Sequence, residues 1–114
     1  MDDTPNVRHF DYRSPRYPFP KMVTVEIAQG TSYRLIGTHG IDVGVYGIAV
    51  AVDVRFEPDE PVTLVIPLVD GSTVRLPGSV LCQSQHHCRF RFDYATAEQR
   101  VQIREMIWRI ANGH

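Results

Sequence analysis

Ile41-Asp42-Val43-Gly44-Val45-Tyr46-Gly47-Ile48-Ala49-Val50-Ala51-Val52-Asp53-Val54-Arg55-Phe56 is the stretch on which the fold turns. Its first seven residues read as a short acidic turn with two glycines. The remainder alternates with period two: Ile48, Val50, Val52, Val54 and Phe56 on one face, Ala49, Ala51, Asp53 and Arg55 on the other. Such alternation marks a half-buried strand, because successive side chains point to opposite faces of a sheet. The same pattern recurs before it, where Val23, Val25 and Ile27 alternate with Thr24 and Glu26. It recurs after it at Val62, Leu64, Ile66 and Leu68.

Asp70-Gly71 predicts a two-residue hairpin turn, since Gly readily supplies the positive φ that primed turns demand. Val74 and Leu76 continue on the return strand. Val80 and Cys82, then Cys88, Phe90 and Phe92, predict a last hairpin with Arg89 and Arg91 on its outer face. In that register both cysteines point inward and face each other as small hydrophobes. Short antiparallel strands at this spacing imply a mainly β fold, a closed or nearly closed barrel. The C-terminus changes period. Thr96-x-x-Gln99 reads as a capping box, in which side chains of both residues satisfy early helical donors. Ile103, Met106, Ile107 and Ile110 form one apolar helical stripe, Glu105 and Arg109 an i,i+4 pair, and Gly113 a stop. This helix is predicted to plug an open side of the barrel. Trp108 lies with Val101 on an offset face, suited either to covering the barrel mouth or to contacting a partner.

A chain of 114 residues is one domain, and its net charge of −1 argues against a broad footprint for duplex nucleic acid. No apolar run approaches the ~20 residues that span a bilayer. The start Met1-Asp2-Asp3-Thr4-Pro5 lacks the features of a secretory signal, so a cytoplasmic location is expected. Two cysteines make no disulfide framework. Cys82-x3-His86-His87-Cys88 has zinc-binding residue types but no CxxC knuckle, so it reads as a hairpin tip and no metal is expected. His39 near Asp42 reads as a structural or ligand-facing strand-end residue. Nothing indicates an oxyanion site or an activated nucleophile, so the chain does not read as an enzyme.

Residues 1–20 read as an extended arm, because prolines at 5, 15, 18 and 20 forbid a regular helix; residues 21–114 hold the barrel and helix. The arm contains Asp11-Tyr12-Arg13-Ser14-Pro15-Arg16-Tyr17-Pro18-Phe19. Two guanidinium groups suit stacking on flat bases and forked hydrogen bonding to phosphate oxygens. A short acidic turn suits the donor edge of a purine. Brought together, the arm and the Ile41–Gly47 turn would make a nucleotide pocket without catalytic machinery.

An arginine-bearing arm, an acidic turn before a Gly-led strand, some six antiparallel strands and a closing helix together resemble a PilZ domain, over roughly residues 11 to 111. That family carries RxxxR in its N-terminal loop and [D/N]xSxxG on an early strand. Arg16 matches the second arginine; Tyr12 stands where the first belongs, and Arg13 comes one place late, giving RxxR. Asp42 and Gly47 match the second motif, while Gly44 replaces its serine, giving DxGxxG. The resemblance implies a six- or seven-stranded PilZ-type barrel closed by a C-terminal helix. It implies a bacterial receptor that binds cyclic di-GMP and relays the signal to an effector protein, with no other cofactor. Arg13 and Arg16 would contact phosphates and stack on guanine, Asp42 would read a guanine edge, and Tyr12 would stack in place of the missing guanidinium. Gly44 and Gly47 would let backbone and ligand approach closely. The altered motifs also fit a different outcome, a degenerate PilZ-like adaptor that has lost the nucleotide and acts through protein contacts in pilus assembly or motility.

Overall fold

The hydrophobic alternation closes on itself in three dimensions. The computed structural model describes residues 14–113. Its strands are β1 (Tyr17–Pro18), β2 (Met22–Gln29), β3 (Ser32–Val43), β4 (Gly47–Ala51), β5 (Pro61–Pro67), β6 (Thr73–Gln83) and β7 (His87–Phe92), followed by helix α1 (Ala97–Ala111). All pairings are antiparallel, in the order β3-β2-β5-β6-β7-β4, and β4 returns to β3. Six strands therefore form a closed barrel, while β1 adds to β3 outside it. Closure removes most free sheet edges and gives every inward side chain a packed neighbour.

The predicted inward residues fill the barrel. Val23, Val25, Leu64, Ile66, Leu76, Val80, Ile48, Val50 and Phe90 are all at most 2% exposed. Phe56 and Phe90 meet edge to face with ring centroids 5.4 Å apart. Each large side chain buried this way contributes about 1.5–3 kcal/mol relative to exposure. A one-residue slip would turn the whole set outward, so the register is strongly fixed. Ile103, Met106 and Ile107 of α1 join the same core, as the helical stripe predicts.

Four local expectations are revised. Asp42 does not sit in a turn, because Ile41–Val43 end β3 and the chain turns over Gly44–Tyr46. The Asp70-Gly71 turn is a three-residue loop, with Leu68 N–H bonded to the Ser72 carbonyl (2.7 Å) and Gly71 at φ 92°; Asp70 spends its carboxylate on Ser72 within that loop. The Ile48–Phe56 strand stops at Ala51. Beyond it Gln83 substitutes for a ladder, accepting from Phe56 N–H and donating to the Val54 carbonyl. Finally, Cys82 and Cys88 do not face each other. The β6–β7 register shifts between Val80 and Cys82, so Leu81 is an extra residue that turns Cys82 outward, opposite Arg89, and brings Gln83 opposite Cys88.

Candidate functional site

Four of the predicted site residues, Arg16, Asp42, Gly44 and Gly47, lie near the outer end of β3, where a second register shift occurs between Gly40 and Asp42. Such a bulge re-aims the side chains that follow it. Val43 goes into the core, fully buried, and Asp42 emerges half-buried on the surface. The arm is fastened beside it. Tyr17 pairs with Val43 and Pro18 with Asp42. Phe19 N–H donates to the Ile41 carbonyl (2.9 Å), and Gly40 N–H to the Lys21 carbonyl (2.7 Å). Phe19 itself enters the core at 1% exposure, so the arm's path past Asp42 is anchored by burial.

That path lays Arg16 against Asp42, although 26 residues separate them. Arg16 Nε and Nη2 both lie 2.6 Å from Asp42 Oδ1, and each side chain is about a quarter exposed. Among the described residues nothing donates to Asp42 Oδ2. Gly44 lies beneath the arm, where an added Cβ would stand 2.9 Å from the Pro15 carbonyl oxygen and 3.7 Å from Arg16 Nη1. Gly47 is required for a different reason, since a Cβ there would overlap the Phe90 carbonyl of β7. Arg16, Asp42 and Gly44 thus adjoin one another, and a hydrogen bond from Gly44 N–H links them to the buried Gly47. Tyr12 and Arg13 lie outside the described residues.

The turn is held from below by backbone hydrogen bonds and by the side chain of Tyr94. Gly44 N–H donates to the Gly47 carbonyl, and Phe92 N–H to the Tyr46 carbonyl, both at 2.9 Å. Tyr94 donates its hydroxyl to the Val45 carbonyl at 2.6 Å. Burial pushes the Tyr94 phenol up to about 12, although Arg100 and Arg104 pull it the other way. Tyr94 continues the Phe90–Phe92 alternation two residues past the last strand, but its bond to Val45, 49 residues away in sequence, is visible only in the structure. His39 is exposed and makes no bond to Asp42. Among the described residues no group of three His, Cys, Asp or Glu is placed to hold a metal; His86 instead contacts Asp53 at 2.8 Å.

The sequence model of the PilZ domain matches residues 11–108. The chain belongs to the PilZ family. Among solved structures, the PilZ domain of CeSA from a cellulose-synthesizing bacterium is 19% identical at a TM-score of 0.66, covering 89% of this chain and all of that one. The PilZ domain of YcgR from Escherichia coli, solved with c-di-GMP, is 9% identical at a TM-score of 0.70, covering 89% and 92%. The MrkH–c-di-GMP complex of K. pneumonia is 11% identical at a TM-score of 0.70, covering 90% of this chain but 53% of that one. At these identities the likeness concerns the fold. A comparison with curated proteins returns no match.

Proposed function

We propose that this PilZ domain is a bacterial cytoplasmic receptor for cyclic di-GMP that passes the signal to an effector protein and catalyses no reaction. The observation that carries the reading is the Arg16–Asp42 pair set over the glycine-lined turn. It unites one residue from each family motif on a single open surface. A partly exposed ion pair of this kind is worth only ~0–1 kcal/mol, so it yields readily to a ligand offering better partners. A phosphate diester takes the guanidinium as forked, charge-assisted hydrogen bonds. Asp42, with Oδ2 open among the described residues, accepts from the N–H edge of guanine. Gly44 in place of serine forgoes a hydroxyl contact worth ~0.5–1.5 kcal/mol, which weakens the complex without abolishing it. Arg13 supplies a second cation from the arm, and Tyr12 an aromatic plane. Among the described residues no helix is long and apolar enough to cross a membrane.

Isothermal titration calorimetry with cyclic di-GMP, using cyclic di-AMP and GTP as competitors, tests the reading. Saturable binding selective for the guanine dinucleotide and lost in Arg16→Ala is expected. Because the ion pair contributes at most about 1 kcal/mol to folding, Arg16→Ala stays folded and the loss reports on the site. No heat from folded protein at high ligand concentration, confirmed by a second method, would overturn the reading in favour of the adaptor.

A further inference from the structure

Barrel closure leaves one stretch of strand edge unpaired. β4 stops at Ala51, opposite His39, and there the chain turns away, with Val52 N–H donating to the His86 carbonyl at 2.9 Å. The first half of β3, residues 32–38, therefore pairs with β2 alone. Gly40 N–H donates to the Lys21 carbonyl, and the register from Met22–His39 to Gln29–Ser32 is unbroken. Hydrogen-bonding direction alternates along an antiparallel strand. Arg34, Ile36 and Thr38 thus bond to β2, while Tyr33, Leu35 and Gly37 aim N–H and C=O at the open side. Among the described residues nothing bonds to those groups. All three residues are exposed, Tyr33 at 68% and Leu35 at 64%, and a Cβ built on Gly37 meets nothing within 4 Å. Between them Arg34 is exposed and forms no ion pair among the described residues. Glu26, opposite Leu35 on β2, is held by both terminal nitrogens of Arg75.

We propose that this edge takes up an extended acidic segment of another protein as an added strand in line with β4, with apolar side chains against Tyr33 and Leu35 and a carboxylate beside Arg34. Unpaired amides and carbonyls at strand spacing match an extended backbone, and main-chain bonds then supply affinity while alternate side chains supply selectivity. Charge complementarity selects the acid, since Arg34 is the cation that a strand paired there would face and opposite charges across a ladder stabilise it. A second copy of this chain does not fit. Paired about a twofold centred on Leu35, it would set its own Thr31 opposite His39, where Ala51 already stands. Centred on Arg34, it would set two arginines face to face and leave Gly37 unpaired, and like charges directly opposite destabilise a ladder. The added strand lies away from Arg16 and Asp42, so the proposal stands independently of nucleotide binding.

Amide hydrogen exchange of the full chain, read by NMR, is the first measurement. Fast exchange is expected at Tyr33, Leu35 and Gly37 and slow exchange at Arg34 and Ile36. The chain is then titrated with a short capped peptide in which valines flank one glutamate. Its controls are the same peptide with lysine for glutamate, and one N-methylated at both valines, which keeps the side chains but removes the donors. The glutamate peptide is expected to protect the amides of Tyr33, Leu35 and Gly37, the lysine peptide to bind about fivefold more weakly, and the methylated peptide not to bind. Arg34→Glu, an exposed change, is expected to invert the preference between glutamate and lysine. Leu35→Pro removes one edge donor while sparing the ladder to β2 and is expected to abolish binding, with circular dichroism confirming the fold; should it fail to fold, the charge inversion decides. No protection by the glutamate peptide, equal binding of the methylated one, or a preference unchanged by Arg34→Glu would overturn the proposal. Edge protection that grows with protein concentration, with a dimer in sedimentation equilibrium, would overturn it in favour of a second copy.

Discussion

Gly44 and Gly47 sit three positions apart in one motif, yet different neighbours hold each to glycine. At Gly47 the obstacle is the Phe90 carbonyl on β7, part of a ladder in which Gly47 pairs with Arg91 and Ile48 with Phe90. Backbone in a closed barrel cannot give without breaking several bonds. Gly47→Ala is therefore expected to cost on the order of 1–3 kcal/mol or more, as overpacking does, read as a lower urea midpoint. At Gly44 the obstacle is the Pro15 carbonyl of the arm, 2.9 Å from an added Cβ against 2.2 Å at Gly47, so the backbone has much less to give. Gly44→Ala should cost less than about 1 kcal/mol and shift resonances of Ser14, Arg16 and Asp42. A larger loss at Gly44 than at Gly47 would show that the arm, not the ladder, is the rigid party. The match of Arg16 and Asp42 to motif positions was legible in the sequence; their mutual ion pair was not, because it depends on where Phe19 anchors the arm.

At the scale of elements, α1 illustrates a start signal that the structure uses fully. Thr96 Oγ1 accepts from Gln99 N–H at 3.1 Å, and Gln99 Oε1 accepts from Thr96 and Ala95 N–H. Gln99 Nε2 also donates to the Arg75 carbonyl at 3.0 Å, tying the cap to β6. Thr96→Ala is expected to destabilise by ~0.5–2 kcal/mol, and Gln99→Ala by at least as much because it releases the β6 tie as well. Chemical denaturation measures both, and an unchanged midpoint in either would mean that core packing alone fixes the helix. By contrast, β3 gave almost no signal. Ser32, Tyr33, Arg34 and Leu35 are all exposed, so no apolar alternation marks that half of the strand. Its hairpin depends on Gly30 at φ 63°, next to Thr31 in a two-residue loop.

For the whole molecule, one buried and one half-buried acid set the alkaline limit. Cys88 is fully buried, and desolvation pushes its thiol from 9.0 up to about 12; Tyr94 is likewise raised from 10.0 to about 12. Both groups keep their protons in the fold at pH values where the unfolded chain releases them. Their contribution is complete below pH 9 and is lost as pH rises toward 12, with a limiting slope of about 1.4 kcal/mol per pH unit for each group. Urea midpoints measured from pH 8 to 11 should hold and then fall, and Cys88→Ala should flatten the descent. A thiol reagent should meet one accessible cysteine, Cys82, in native protein and two after denaturation. Two fast-reacting thiols in native protein would contradict the burial of Cys88.

The sequence by itself determined the barrel class, most of the inward residues and the helix with its cap. These follow from local periodicity and from side chains that satisfy backbone groups within one turn. It also pointed to the family, because Arg16, Asp42 and Gly47 stand at its motif positions even though Arg13 comes one place late and Gly44 replaces the serine. Only the tertiary structure decided that Asp42 meets Arg16, that Cys82 faces solvent and that Tyr94 supports the turn. Each depends on an extra residue in one strand of a pair, Ile41 against β4 and Leu81 against β7, or on a contact made across the closed barrel. A bulge reverses the facing of everything beyond it, and whether a strand bulges is settled by how its partner's side chains pack. That information is distributed over the whole fold and is absent from any single stretch of the chain.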